Sequence, residues 1–318
     1  MKRLQRLRQT AALRDLVAET GFGAAQLIQP LFLSAAAGQP SAIPGLLDNK
    51  THNEASLLQQ VDADLAAGVR HFLLFPVPAA KAVKSFTAEF TASSIAKIRE
   101  RCGDAASLWV DTCLCSFTHT GHCCVFDAAG KQDLAATLQE LGSLALSYAD
   151  AGADGISPSD MNDGRVAWLR SLLDAQGHEL LPIMSYSSKF ASNFYGPFRA
   201  AAQSSPQHGN RRSYQLDVRS RRDALAASQR CAEEGADLLM VKPGMSSIDL
   251  LAPIAAATQK PVGAYQVSGE YAALTLLGRE GLGDFDAMLL ESWQVFRRAG
   301  ASYIISYGAR HARRLGFH

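Results

Sequence analysis

Three thiols and two imidazoles fall within one short stretch, DTCLCSFTHTGHC, running from Asp111 to Cys123 directly after the apolar run Leu108-Trp109-Val110. Thiolates select zinc among the common cellular metals. Three of them leave one tetrahedral corner open, as a catalytic ion needs. The spacing is C-x-C-x7-C, without the paired C-x2-C knuckles of a zinc finger. Disulfides are the competing reading, because Cys113, Cys115, Cys123 and Cys124 crowd together and a secreted chain would pair them. Cys102 and Cys231 are scattered and no export signal is evident, so a site for Zn2+ on Cys113, Cys115 and Cys123 is preferred. His119 or His122 could be a fourth ligand; with three sulfurs at hand, supporting or proton-transfer roles are expected of them.

Two lysines end apolar or serine-rich runs further along: Lys189 in PIMSYSSKF and Lys242 in LLMVKPG. A lysine at the rim of an apolar core is desolvated, its ammonium is disfavoured, and the neutral amine is a Schiff-base nucleophile. A lysine snorkelling to solvent is the ordinary alternative for either alone. Two aimed at one cavity would hold each other's pKa down. After Lys189 comes FASNFYGPFRAAAQSSPQHGNRRSYQLD, too long for an ordinary connection and read as an ordered lid. In it Arg199 and Arg211 offer planar forks for a substrate carboxylate, whereas Arg212 reads as surface solvation. Phe194, Tyr195 and Phe198 read first as lid core, with Tyr195, Gln215 and Tyr265 kept as candidates for lining the substrate site. Asp160 and Asp163 in SPSDMNDGRV could be an acid/base pair, but helix capping or hydrogen bonding to loops is the expected role.

The elements that must position these groups recur in one pattern. A helix-like stretch ends in Gly, two residues follow, and an apolar run begins: AAGVRHFLLF, DAGADGIS, EEGADLLMV and RAGASYIIS. Gly68, Gly152, Gly235 and Gly300 suit the left-handed residue after a helix, and the runs suit strands buried on both faces. Eight strands are predicted at Leu27–Leu33, His71–Phe75, Leu108–Asp111, Ala153–Ser157, Leu181–Ser185, Asp237–Val241, Val262–Tyr265 and Ser302–Ser306. Helical periodicity lies between them, as in Asp133–Ala149, Arg222–Glu234 and Phe285–Arg298. This reads as an α/β fold, a (β/α)8 TIM barrel, in which the sulfur stretch and both lysines leave strands at the catalytic end. A doubly wound sheet is the alternative, but no G-x-G-x-x-G follows the first strand.

The 318 residues suit one barrel, divided here into an N-terminal helical arm over 1–24 and a catalytic domain over 25–318. The basic opening MKRLQRLRQTAALRDLVAET resembles a transit peptide in composition; the periodicity of Leu4, Leu7, Ala11 and Leu13 favours an arm packed on a neighbouring subunit. With 31 basic against 30 acidic side chains and a net charge of +1, no field would gather nucleic acid or anionic lipid. No apolar segment approaches the ~20 residues of a membrane span, so a reducing, cytoplasmic location is expected.

Taken together, DTCLCSFTHTGHC, SPSDMNDGRV, MSYSSKFASNFYGPFR, NRRSYQLD, GADLLMVKPG and AYQVSGEY resemble the porphobilinogen synthase family, also called 5-aminolaevulinate dehydratases, in the same order from about Leu27 to Tyr307. The resemblance implies a barrel lyase that condenses two molecules of 5-aminolaevulinate into a pyrrole for tetrapyrrole (haem) synthesis. It implies Schiff bases on Lys242 for the first substrate molecule and Lys189 for the second, catalytic zinc on the three cysteines, and proton transfer at Asp111. Arg199 and Arg211 would clamp the second carboxylate, Ser268 and Tyr307 the first. It also suggests a homo-oligomer, an octamer of arm-exchanged dimers, with hexamer or dimer left open by the short arm.

The departures are specific. Ala227 stands where many bacterial members carry a glutamate for an activating Mg2+, so no such stimulation is expected. Ser213 replaces a cysteine that in animal-type members shares a second zinc with the counterpart of His122. Cys124 replaces a glycine, and KPGMSSID lacks a tyrosine common there. Two other functions remain to be weighed: a Schiff-base class I aldolase, which would need one lysine and no thiol-bound metal, and a catalytically silent zinc-binding oligomer.

Overall fold

The computed structural model describes residues 9–317. The eight barrel strands are β1 (Leu27–Ser34), β2 (His71–Val77), β3 (Ser107–Thr112), β4 (Gly155–Pro158), β5 (Met184–Lys189), β6 (Leu238–Lys242), β7 (Val262–Gln266) and β8 (Tyr303–Ser306). They pair in parallel in the order β4-β3-β2-β1-β8-β7-β6-β5, and a single bridge from Ile156 to Ile183 brings the two end strands together. The chain is therefore a nearly closed (β/α)8 barrel, as the alternation of apolar runs and amphipathic stretches requires.

The strands form because both their faces are covered. All eight residues of β1 are buried, the interior face by other strands and the exterior by helices. The helices Glu54–Ala66, Leu134–Asp150 and Phe285–Arg298 begin at Asn53, Asp133 and Asp284, whose side chains accept from the amides of Ser56, Ala136 and Ala287. Such caps contribute about 1 kcal/mol each. The four predicted glycine junctions hold: Gly68, Gly152, Gly235 and Gly300 have φ of 94°, 91°, 102° and 103°. Each turns the chain from a helix end into the next strand.

Sequence boundaries shift most at strand five. The expected Leu181–Ser185 becomes Met184–Lys189, because Pro182 has no amide to give and because the serines beyond Met184, polar in sequence, are satisfied inside the fold. Lys189 and Lys242 are thus the last residues of their strands rather than residues beyond them. Of the arm, Ala11–Leu16 is a short helix with no buried residue, while Leu4 and Leu7 lie outside the described residues.

Candidate active site

β3 delivers Asp111 to the barrel mouth, and the loop that follows folds its sulfurs inward. The Sγ atoms of Cys113, Cys115 and Cys123 are buried and lie within 4.8 Å of one another; among the described residues this is the one place where three such ligands converge. All six cysteines are free thiols, so the disulfide reading fails. The Cys113 and Cys123 thiols donate to Cys115, which with the positive charges of Arg211 and Lys189 holds the Cys115 thiol well below its usual range, while burial pushes Cys113 up. Three converging soft donors with a thiolate already favoured, and a charge environment that tolerates anions, fit zinc with a corner left open. His122 cannot complete the set, because its Nδ1 meets Tyr214 Oη at 2.9 Å and its Nε2 meets the His208 carbonyl at 2.9 Å. His119 is exposed.

The two lysines are cross-strand partners, Lys242 on β6 opposite Lys189 on β5. The alignment depends on a bulge. Between the pairs Leu239–Ser185 and Val241–Ser188, β5 advances three residues while β6 advances two. Ser187 and Ser188 accordingly both face outward, each 2.9 Å from Ser228 Oγ on the outer helix Arg221–Glu233. Two consecutive outward residues leave Tyr186 and Lys189 both inward, and the Tyr186 ring lies 5.4 Å from Lys189 Nζ and 4.9 Å from Lys242 Nζ.

Lys242 Nζ is boxed by rings, 4.0 Å from Tyr265, 4.9 Å from Phe198 and 5.4 Å from Tyr195. Aromatic faces attract an ammonium by roughly 1–2 kcal/mol, whereas burying one costs several. Burial wins, reinforced by Lys189, and holds the Lys242 pKa far below that of an ordinary lysine. Lys189 Nζ donates to the Ser159 carbonyl. Asp111 is raised to about 7, first by burial and then by the negative charge on Cys115, and its Oδ1 is buried without a partner among the described residues. A carboxyl poised there can give or take a proton near neutrality.

The lid closes this mouth. Its short helix Gly196–Ala201 sets Phe198 against Phe75 at 5.0 Å and Phe32 at 5.7 Å. Tyr195 is buried and donates to the Phe190 carbonyl at 2.8 Å, so both rings are lid core as expected. Phe194 is not: it is 49% exposed, and its backbone is what is used, the carbonyl accepting from Gly269 N at 2.8 Å and Ser268 Oγ at 3.4 Å and the amide donating to Ser192 Oγ at 3.1 Å. Arg211 is buried and donates to the carbonyls of Gly121, at 2.8 Å, and Ser204. Burial, and then the positive charge of nearby Arg211, lower the Arg199 pKa. Both Nε atoms and both amide atoms of Gln215 are buried without partners among the described residues. Arg199, Arg211 and Gln215 line one cavity of about 510 Å3. Ser268 Oγ accepts from Phe198 N at 3.1 Å, and Tyr307 Oη pairs with Tyr265 Oη at 3.1 Å.

Asp160 and Asp163 are not an acid/base pair. Asp160 is buried against Arg165 at 3.4 Å and accepts from Asn162 N at 2.9 Å; Asp163 is on the surface, 2.5 Å from Arg230. Neither caps the helix Arg165–Ala175, whose cap is Gly164. Arg212 is exposed, as expected. A larger cavity, about 690 Å3, opens behind the lid beside Ala227, Asp163 and Arg230 and shares Gln215 with the first; neither lysine and none of the three sulfurs lines either one. Sequence reasoning missed Tyr186, Ser159 and Tyr214. Only the bulge and the folded loops bring them in, although the three serines around Tyr186, just before Lys189, were a hint that this strand is not ordinary core.

A family model described as delta-aminolevulinic acid dehydratase matches residues 1–315. Among curated relatives, the delta-aminolevulinic acid dehydratase of Halalkalibacterium halodurans is 40% identical over 98% of this chain and 96% of its own length. That of Helicobacter pylori is 38% identical over 99% and 98%. The crystal structure of the Toxoplasma gondii delta-aminolevulinic acid dehydratase (porphobilinogen synthase), in complex with the reaction product porphobilinogen, superposes with a TM-score of 0.93 at 36% identity, covering 99% of this chain and 91% of that one. With a match over nearly its whole length, the chain belongs to the delta-aminolevulinic acid dehydratase family.

Proposed function

We propose that this chain condenses two molecules of 5-aminolaevulinate into porphobilinogen, with loss of two waters, as a step of tetrapyrrole synthesis. Family membership supports the reaction, and the product held by the Toxoplasma gondii relative supports the ligand class. The observation that carries the reading is the pairing of two buried amines, Lys189 and Lys242, across neighbouring strands beside the three sulfurs.

Lys242, neutral in its box of rings, attacks the ketone of one substrate molecule; water leaves and the carbon next to the resulting iminium becomes acidic. Lys189 does the same for the other molecule. Asp111, with an unpaired oxygen between the lysines and Cys115, is the group to carry protons during bond formation. Arg199 and Arg211 bind one carboxylate with the Nε donors the protein leaves free, and Gln215 adds its amide. Ser268 and Tyr307 bind the other, each exchanging a protein partner for substrate, and Tyr195 and Tyr265 form the walls. Cys113, Cys115 and Cys123 would hold Zn2+, which supplies a Lewis acid for a substrate amine or carbonyl oxygen.

We further propose that Ala227, offering no carboxylate, leaves the chain unresponsive to added Mg2+, and that the protein is cytoplasmic, where its six thiols stay reduced. Among the described residues no helix is long and apolar enough to cross a membrane. The arm over 1–24 would pack on a neighbouring subunit of a homo-octamer, a reading supported by Leu16 and Val17, exposed at 78% and 46%. A class I aldolase would have no use for the second lysine, and a silent zinc protein none for the unpaired Arg and Gln donors.

The decisive experiment incubates the chain with 5-aminolaevulinate and zinc under reducing conditions, assays pyrrole, and maps the borohydride-trapped lysine. Pyrrole formation with label on Lys242 is expected. Absence of pyrrole rejects the reaction, and label elsewhere rejects the assignment of Lys242.

A further inference from the structure

We infer that Tyr214 is a positioning residue that ties closure of the lid to the holding of metal by the third sulfur. Hydrogen-bond direction fixes the roles of four groups. The His208 carbonyl can only accept, so His122 Nε2, 2.9 Å away, carries the ring proton. Nδ1 is then a bare lone pair 2.9 Å from Tyr214 Oη, and the phenol donates to it. The phenol oxygen remains free to accept, and the amide of Cys123 donates to it at 3.2 Å. The path from Cys123 N–H through Tyr214 and His122 to the His208 carbonyl alternates between sulfur loop and lid and crosses the seam three times.

Other seam bonds fall short of the sulfurs. Ser116 Oγ donates to the Ala202 carbonyl at 2.9 Å, Gln207 N to the Thr120 carbonyl at 2.9 Å, and Arg211 to the Gly121 carbonyl. Gly121 has a φ of 68°, and a Cβ there would lie 2.2 Å from the Ser205 carbonyl oxygen, so loop and lid touch backbone to backbone. Tyr214 alone among these lid side chains both bonds a sulfur-bearing residue and packs on the Cys113, Cys115 and Cys123 cluster. On its other side the Cys123 carbonyl accepts from Asn162 Nδ2 at 3.0 Å. One peptide neighbour of the third sulfur is thus fixed by the barrel and the other by the lid, so withdrawal of the lid leaves Cys123 held from one side. Groups that orient a ligand from behind typically change metal affinity 10- to 100-fold when removed.

This inference rests on the zinc reading of the proposed function. Tyr214→Phe keeps the ring and removes only the oxygen. On the full chain, zinc Kd is measured by competition with a chromogenic chelator, and amide hydrogen exchange over residues 190–217 is followed in zinc-loaded and chelated protein. In the wild type, zinc should slow exchange across the lid. In Tyr214→Phe, zinc should bind about tenfold more weakly and no longer slow lid exchange to the wild-type extent. Ser116→Ala removes a seam bond outside the path and should keep the wild-type Kd. Wild-type zinc affinity in Tyr214→Phe overturns the inference, as does an equal loss in Ser116→Ala. So does a wild-type lid indifferent to zinc, whatever the variants do. A wild-type chain that binds no zinc removes the metal reading and this inference together; tight binding untouched by Tyr214→Phe removes this inference alone.

Discussion

The β5–β6 wall and the seam between sulfur loop and lid both hold reactive groups at the same mouth, but they do so by different forces. On the wall, Lys189 and Lys242 are placed by ladder register and by a bulge whose two serines are tied to Ser228. On the seam, Cys123 and Arg211 are placed by side chains reaching across to loop carbonyls and amides. A register is discrete, so an error on the wall turns a side chain to the opposite face. Loop bonds are separable, so an error on the seam is graded. The wall therefore decides whether the chemistry exists, and the seam decides how tightly its ligands are held.

The sharpest way to break that contrast is to move the lysine by one residue. Strict alternation from Tyr186 would place residue 188 inward, whereas the bulge places it outward. The double change Ser188→Lys with Lys189→Ser should therefore lower turnover by at least about a thousandfold, as loss of a covalent nucleophile does. Retained activity in a steady-state pyrrole assay would show that the bulge does not set the facing. A second change strikes the strut shared by both regions. Arg165 donates to the Tyr186 carbonyl at 3.1 Å and to Ser185 Oγ at 3.2 Å, while its partner Asp160 accepts from Asn162, which holds Cys123. Asp160→Ala strands a fully buried guanidinium and should cost about 3–5 kcal/mol in urea unfolding. A midpoint close to wild type would mean that the pair bears no weight.

On the seam alone, Arg211→Lys retains charge but loses the planar fork. The Michaelis constant for 5-aminolaevulinate should rise about tenfold with kcat changed little. The reverse pattern, kcat falling at constant KM, would move Arg211 from binding to chemistry. The last effect, read in stability alone, belongs to neither region. His52, at the rim beside β1, is lowered to about 4 by burial and then by Arg310 and Lys50. Its folded pKa lies below the unfolded 6.5, so its contribution is complete above pH 6.5 and is lost as pH falls towards 4. Discounted for solvent screening at the rim, that is roughly 2 kcal/mol. His52→Gln should flatten the pH dependence of the urea midpoint in that window, and an unchanged slope would rule out His52 as its source.

Much of this was legible in the residues. The glycine junctions, the apolar runs and the periodic helices are local signals, and each survives in the fold within a few residues. The convergence of sulfurs and lysines at one end followed from strand direction, because side chains leaving parallel strands at their C-terminal ends meet there. Strand five was misplaced for a reason that is not local. MSYSSK has the polarity of a loop, and only the outer helices, supplying Ser228, the Ala224 carbonyl and Arg165, make it a buried strand. Likewise, SPSD reads as a cap because nothing nearby in sequence announces that Arg165 will be fully buried and require Asp160.

The amino-acid order alone determined which chemistry was available: soft sulfurs spaced for one ion, two amines at strand ends and guanidinium forks on a long connection. Tertiary structure decided which groups face one another. The facing of Lys189 depends on a bulge, the thiolate preference of Cys115 on the Cys113 and Cys123 thiols folded onto it with Arg211 and Lys189 adding to it, and the tautomer of His122 on a carbonyl from the lid. Those are properties of burial and hydrogen-bond direction, which exist only once distant segments have been brought together and water has been excluded between them.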